Sequence, residues 1–453
     1  HGSSKASALG NGQPGNGAPG AGSSGTGASA TGSSGTGSSG TGATAAPPAP
    51  PDSYAAEPYR PRLALEDISP GLGVGYSSLG YAIGADISAQ LGDAVDRYQI
   101  TADAQGGVSA FPEYGGSVLF LDTASPLQWG VQLGHVPSVS GFARVADLPG
   151  SGAPAPAGPL PSIAIDQIFE KITQNQVELL LQYPFSPTER LQASVSYNHL
   201  GFAAKDVREV LTGTQVVETT RFDLADPAPL TLYQGGLAFV GDTSLLGDTS
   251  PVRGQRYRAE VSVTGGDLSF EQITADYRRY FLFRPLTLAV RALHLGRYGE
   301  DANSSSLLPL FLGDPTLVRG YELGSLSAAE CTPPANAPNT CPQFDRLVGS
   351  RLAVVNLELR LPLFANNNQG LYELRLLPTE LAVFLDAGTA WSAHQAPTLH
   401  LAADSDARIP VASTGVAARF LLAGLAVAQV YVAKPFERPE RGAVAGIVIS
   451  PGW

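Results

Sequence analysis

The amino-acid sequence predicts an all-β protein: a closed antiparallel transmembrane β-barrel of about 16 strands over residues 58–453, preceded by a low-complexity tail over 1–57. Three observations lead there. An apolar/polar alternation of period two recurs from Pro58 to Trp453. Charged residues make up only 15% of the 453-residue chain, yet its mean hydropathy is close to zero. No apolar run is long enough to cross a bilayer as a helix, which takes roughly 18 residues; the best stretch, Phe420 to Ala433, is shorter and holds Gln429.

The tail comes first. Residues 1 to about 51 are Gly, Ser, Ala, Thr and Pro with Lys5 as the single charge, a composition that buries too little apolar surface to offset the entropy of ordering. It reads as a flexible linker. Its GSSGTG near-repeats lack the preceding strand and following helix that a phosphate-binding glycine loop requires. No apolar segment follows a basic start, and the sequence contains no Met, so it reads as a processed or excised product; a removed signal peptide and a removed upstream domain would look alike.

Strand segments follow, divided by Gly, Pro, Asp and Asn turns. In LQASVSYNHL, Leu191, Ala193, Val195 and Tyr197 share one face, with Gln192, Ser194, Ser196 and Asn198 on the other. YRAEVSVT sets Tyr257, Ala259, Val261 and Val263 against Arg258, Glu260, Ser262 and Thr264, and RLAVVNLELRL repeats the pattern. One face suits lipid and the other water, although soluble sandwiches alternate too and remain open on periodicity alone. A closed ring answers a physical need, because an open sheet edge in hydrocarbon leaves backbone donors and acceptors unsatisfied.

Cys331 and Cys341 lie in SAAECTPPANAPNTCPQ, a stretch with the marks of an exposed loop around 331–341. A disulfide fits, the alternative being two unpaired thiols; two Cys with no nearby His are too few for a metal site. An oxidised loop implies a compartment beyond the cytoplasm. The net charge of −12, with no basic stripe, argues against nucleic acid. The six His residues form no compact ligand motif, and His394 and His400 read as solvated loop side chains. No Gly-x-Ser-x-Gly elbow is present. No catalytic, cofactor-binding or metal residue is assigned, and the chain is read as a non-enzyme.

Four segments of the C-terminal half resemble, in order, the BamA-like bacterial surface antigen superfamily of outer-membrane assembly and secretion barrels: SPVRGQRYRAEVSV, FLGDPTLVRGYELGSL, VVNLELRLPLF and LAVFLDAGTAW. The second carries the most specific signal, Val318, Arg319, Gly320 and Tyr321, similar to that family's Val-Arg-Gly-aromatic motif in a loop, here around 311–326, that folds into the lumen. The resemblance implies that Arg319 pairs with acids on the wall. Parity supplies two: with Leu357, Leu359 and Leu361 toward lipid, Glu358 faces inward, and with Leu381, Val383 and Leu385 toward lipid, so does Asp386. The final segment GAVAGIVISPGW resembles the last strand and terminal aromatic that such barrels present to the assembly machinery, Trp453 being the signal, with Pro451 and Gly452 departing from a continuous strand.

The resemblance implies outer-membrane lipid, a polypeptide substrate or a periplasmic or surface protein, and the barrel assembly machinery as partners, with no cofactor. It also implies a seam between strands near Arg62 and Gly442 that opens sideways in translocating relatives. One departure stands out: the small periplasmic substrate-binding repeats of assembly and secretion members are not encoded in these residues. The expected function is therefore to conduct, anchor or help translocate a polypeptide across or to the outer membrane, with a purely structural anchor or a passive diffusion pore as the alternatives.

Overall fold

Strands form wherever the two-residue period runs on, and they stop where Gly, Pro, Asp or Asn breaks it. In the computed structural model the described residues are 59–77, 80–108, 112–146, 162–212, 215–322, 325–326, 330–331, 341–365, 370–374, 376–393, 395–398, 407–422 and 426–449. The expectations placed on 1–57, on Trp453, on the middle of the cysteine loop and on His394 and His400 lie outside them.

The described chain is all-β and dominated by one 19-stranded sheet. Long strands pair antiparallel with their sequence neighbours from Leu63–Ser77 and Gly80–Asp93 onward to Ala426–Pro435 and Val444–Ile449. Leu230–Asp242 skips the short strand Gln215–Asp223 to pair with Glu189–Thr212. The parallel exception is a two-residue patch of Phe364 and Ala365 against Tyr372 and Glu373. Among the described residues no pairing joins Leu63–Ser77 to Val444–Ile449.

Strand length exceeds what a bilayer demands. Ser162–Ser186 has 25 residues and Glu189–Thr212 has 24, against about 9 to 11 for a membrane-crossing strand. On the former, among the described side chains, the exposed apolar residues Val177, Leu179, Leu181, Tyr183 and Phe185 lie toward the Ser186 end. One end of the sheet has tight turns, such as those between Ser186 and Glu189 and between Phe283 and Leu286. The other carries the long connections from Tyr298 to Arg351 and from Trp391 to Val411.

The alternation assigns an outer and an inner face. Leu357, Leu359, Leu381, Val383 and Leu385 are exposed, while Glu358 and Asp386 are fully buried. The largest apolar core is formed by the long connection against the inner face: Leu310, Leu312, Val318, Tyr321 and Leu347 pack on Leu352, Val354, Ala390 and Val411. This packing carries residues 310–321 of the loop down the inner face.

Candidate functional site

Four adjacent strands build the wall under that loop. Arg351–Ala365 presents Asn356, Glu358 and Arg360; Thr379–Trp391 presents Glu380, Phe384 and Asp386; Val411–Leu422 contributes Gly415 and Arg419, and Ala426–Pro435 contributes Gln429 and Tyr431. Register sets Asp386 between Asn356 and Ser413, and sets Phe384 between Glu358 and Gly415. Large and small residues thereby sit side by side. A side chain at Gly415 would bring its Cβ within 2.6 Å of Phe384 Cζ, so glycine leaves room for the Phe384 ring.

Arg319 lies on that ring, its guanidinium carbon 3.5 Å from the centroid. Its Nε and Nη2 donate to the two oxygens of Asp386 at 2.7 and 2.8 Å, and its Nη1 lies 2.8 Å from Glu358 Oε1. The planar fork suits this double engagement in a way a lysine ammonium cannot. Glu358 also accepts from Arg360 Nε at 2.8 Å and Arg419 Nη2 at 2.7 Å, and Arg419 reaches Glu380 at 2.8 Å and Gln429 at 2.7 Å. Three guanidiniums and three carboxylates, all with side chains 4% exposed or less, are linked by these contacts. Matched charge and filled hydrogen bonds offset the desolvation that an isolated buried ion would suffer.

Wall side chains also hold the loop backbone. Arg291 Nη1 donates to Thr316 O at 2.9 Å, Asn356 Nδ2 to Leu317 O at 2.6 Å, and Arg438 Nη1 to Gly320 O at 2.6 Å. Gly320 has φ +90, a backbone region that L side chains rarely adopt, and its turn sends Arg319 and Tyr321 to different partners. The Tyr321 hydroxyl donates to Glu437 Oε2 at 2.6 Å, an acid that also accepts from Ala412 N–H at 2.7 Å. Burial, and then the Glu437 carboxylate, push the Tyr321 phenol above its ordinary pKa, so it remains a neutral donor. Arg438 clasps Glu330 through Nε and Nη2 at 2.7 and 2.8 Å. The next residue, Cys331, is disulfide-bonded to Cys341.

The structure thus brings Arg319, Glu358 and Asp386 into direct contact, buries Val318 in the loop core, and gives Gly320 and Tyr321 separate anchoring roles. Sequence reasoning did not single out Arg360, Arg419, Glu380, Asn356 or Phe384. Parity held the signal, since each shares the inner face with a residue already identified or with its neighbour across the strand. Glu437 and Arg438 follow the Ala426–Pro435 strand and carried no periodic signal. Among the described residues no group of His, Cys, Asp and Glu is placed to hold a metal ion. With its acids engaged by guanidiniums, the arrangement is suited to fastening a loop.

The chain matches the Omp85 superfamily domain over residues 162–447. No curated protein sequence matches it. Among solved structures it is similar to BamA from Haemophilus ducreyi lacking POTRA domains 1-3, at 13% identity and a TM-score of 0.49, covering 86% of this chain and 75% of that one. It is also similar to CdiB from Acinetobacter baumannii, at 11% identity and a TM-score of 0.47 with 86% and 65% covered. CdiB from Escherichia coli gives 11% identity and 0.47 with 87% and 66% covered. The chain therefore spans just under two thirds of the length of either CdiB.

Proposed function

The chain belongs to the Omp85 superfamily of Gram-negative outer-membrane β-barrel proteins, and from that premise we propose that it handles polypeptide at the outer membrane, its barrel conducting, anchoring or helping to translocate a protein chain. In this reading the consecutive long strands close into a barrel of about 16 strands, with its tight turns toward the periplasm and its long connections toward the exterior. The seam between Leu63–Ser77 and Val444–Ile449 is the place that opens sideways.

The observation that carries the proposal is the loop fastened inside by Arg319 between Asp386 and Glu358. A passive pore needs a clear lumen, whereas a plug held by buried ion pairs is suited to rest closed and respond to a substrate. Planar-bilayer recording of the full chain, alongside insertion of a urea-unfolded small barrel polypeptide into proteoliposomes, tests it. Low steady conductance in the unmodified protein, steady conductance in Asp386→Asn, and faster polypeptide insertion are expected. A steadily open unmodified protein would replace this reading with a diffusion pore, and a closed one that neither inserts nor passes polypeptide would leave a structural anchor.

A further inference from the structure

At the tight-turn end of the outer face, a band of aromatic side chains crosses several strands. Tyr183, Phe185, Phe239 and Tyr257 follow one another with ring centroids 5.4, 6.3 and 5.5 Å apart, Tyr257 is paired across strands with Tyr277, and Phe281 and Phe283 continue the band at 6.5 Å. Aromatic girdles of this kind mark the level of lipid headgroups. Within it lies a shallow cavity of about 320 Å³ lined by Arg253, Gly254, Arg279, Tyr280, Phe281, Leu282 and Phe283.

The charges around this cavity differ from those elsewhere on the strands. Arg256 is paired with Asp242 at 2.9 Å, Arg258 with Glu260 at 2.6 Å, and Arg278 with Asp276 at 2.6 Å. Among the described residues no carboxylate pairs with Arg253 or Arg279. Arg279 is instead held in place: its Nη1 donates to Gln255 Oε1 at 2.6 Å, and its guanidinium lies 5.4 Å from the Phe281 ring centroid. Beside it, Leu245, Leu246 and Phe283 expose 57%, 68% and 60% of their surface. Two uncompensated guanidiniums over an apolar apron, at headgroup level, match a ligand with a phosphate head and acyl tails.

We infer that Arg253 and Arg279 form a binding site on the outer wall for the phosphodiester headgroup of an anionic phospholipid in the periplasm-facing leaflet, with its acyl chains against Leu245, Leu246 and Phe283. A basic side chain near an anionic lipid surface contributes about fivefold to affinity, and two contribute about 25-fold. Arg256 acts as an internal comparison, because its charge is already met by Asp242.

Native mass spectrometry of the detergent-solubilised full chain, titrated with phosphatidylglycerol and with phosphatidylcholine of the same acyl chains, tests the site. Phosphatidylglycerol should be retained preferentially. Arg279→Gln should weaken it about fivefold and Arg253→Gln/Arg279→Gln about 25-fold, with Arg256→Gln unchanged and every variant retaining the heat-modifiable folded band. Equal retention of the two lipids would overturn the inference, as would an equal loss in Arg256→Gln, which would mean diffuse attraction. Displacement of the lipid by inorganic phosphate or glycerol 3-phosphate would assign the cavity to a free anion. If the double variant does not fold, Arg279→Gln against Arg256→Gln carries the same decision.

Discussion

Replacing Arg319 with Ala removes two hydrogen bonds to Asp386, one contact to Glu358 and the stack on Phe384. The two acids are left in different circumstances. Glu358 keeps Arg360 and Arg419, whereas fully buried Asp386 keeps only the Asn356 amide at 2.9 Å and a backbone N–H at 3.3 Å. Deleting one partner of a buried ion pair costs about 3–5 kcal/mol, because the remaining charge stays desolvated. Since each 1.4 kcal/mol is about a factor of ten, the equilibrium between held and released loop should move by roughly two orders of magnitude or more. Hydrogen exchange reads this directly. The Leu312 amide, bonded to Leu347 O at 2.8 Å, and peptides spanning 310–322 should exchange about a hundredfold faster, while Arg351–Ala365 peptides remain unchanged. Arg319→Lys should fall between, keeping the charge without the planar fork. Loop exchange within about threefold of the unmodified protein, less than 1 kcal/mol by the same scale, would refute the reasoning.

Other substitutions test neighbouring parts of the same construction. Gly415→Val should lower the urea midpoint by an amount equivalent to about 1–3 kcal/mol, because its Cβ would meet the Val432 carbonyl oxygen as well as Phe384; Gly235→Ala, with nothing within 4 Å, should stay within about 0.5 kcal/mol. Gly320→Ala should loosen the loop by about 1–3 kcal/mol through its positive φ, measured by exchange of the same 310–322 peptides. Tyr321→Phe removes a donor to buried Glu437 and should cost about 1–3 kcal/mol, readable in the denaturation midpoint, with the strand pattern in circular dichroism retained. Reducing Cys331–Cys341, whose sequence separation is 10, should remove a constraint of about 3 kcal/mol on the segment holding Glu330; proteolysis near Glu330 should accelerate while the heat-modifiable band persists.

Parity makes much of the wall legible in the sequence alone. Leu357, Glu358 and Leu359 alternate in the sequence as they alternate between outer and inner face, because successive strand residues point to opposite sides. The same rule applied one step further would have reached Arg360 and Glu380. Strand length was harder to read: Ser162–Ser186 has 25 residues, because bilayer thickness asks for about 9 to 11 residues and constrains only the immersed portion of a strand.

By itself, then, the sequence determined the all-β class and the sidedness of segments such as LQASVSYNHL, YRAEVSVT and RLAVVNLELRL, since these depend on local period, while the loop arginine was marked by the resemblance of one short motif. Tertiary structure decided which ions meet. The contact of Arg319 with Asp386 spans 67 residues, that of Tyr321 with Glu437 spans 116, and that of Arg438 with Glu330 spans 108. Such pairings depend on strand register, on the space Gly415 leaves for Phe384, and on the path of the loop down the inner face. A residue's own neighbours in the chain specify which way its side chain points, but the group it meets there is supplied by strands that only the folded sheet brings alongside.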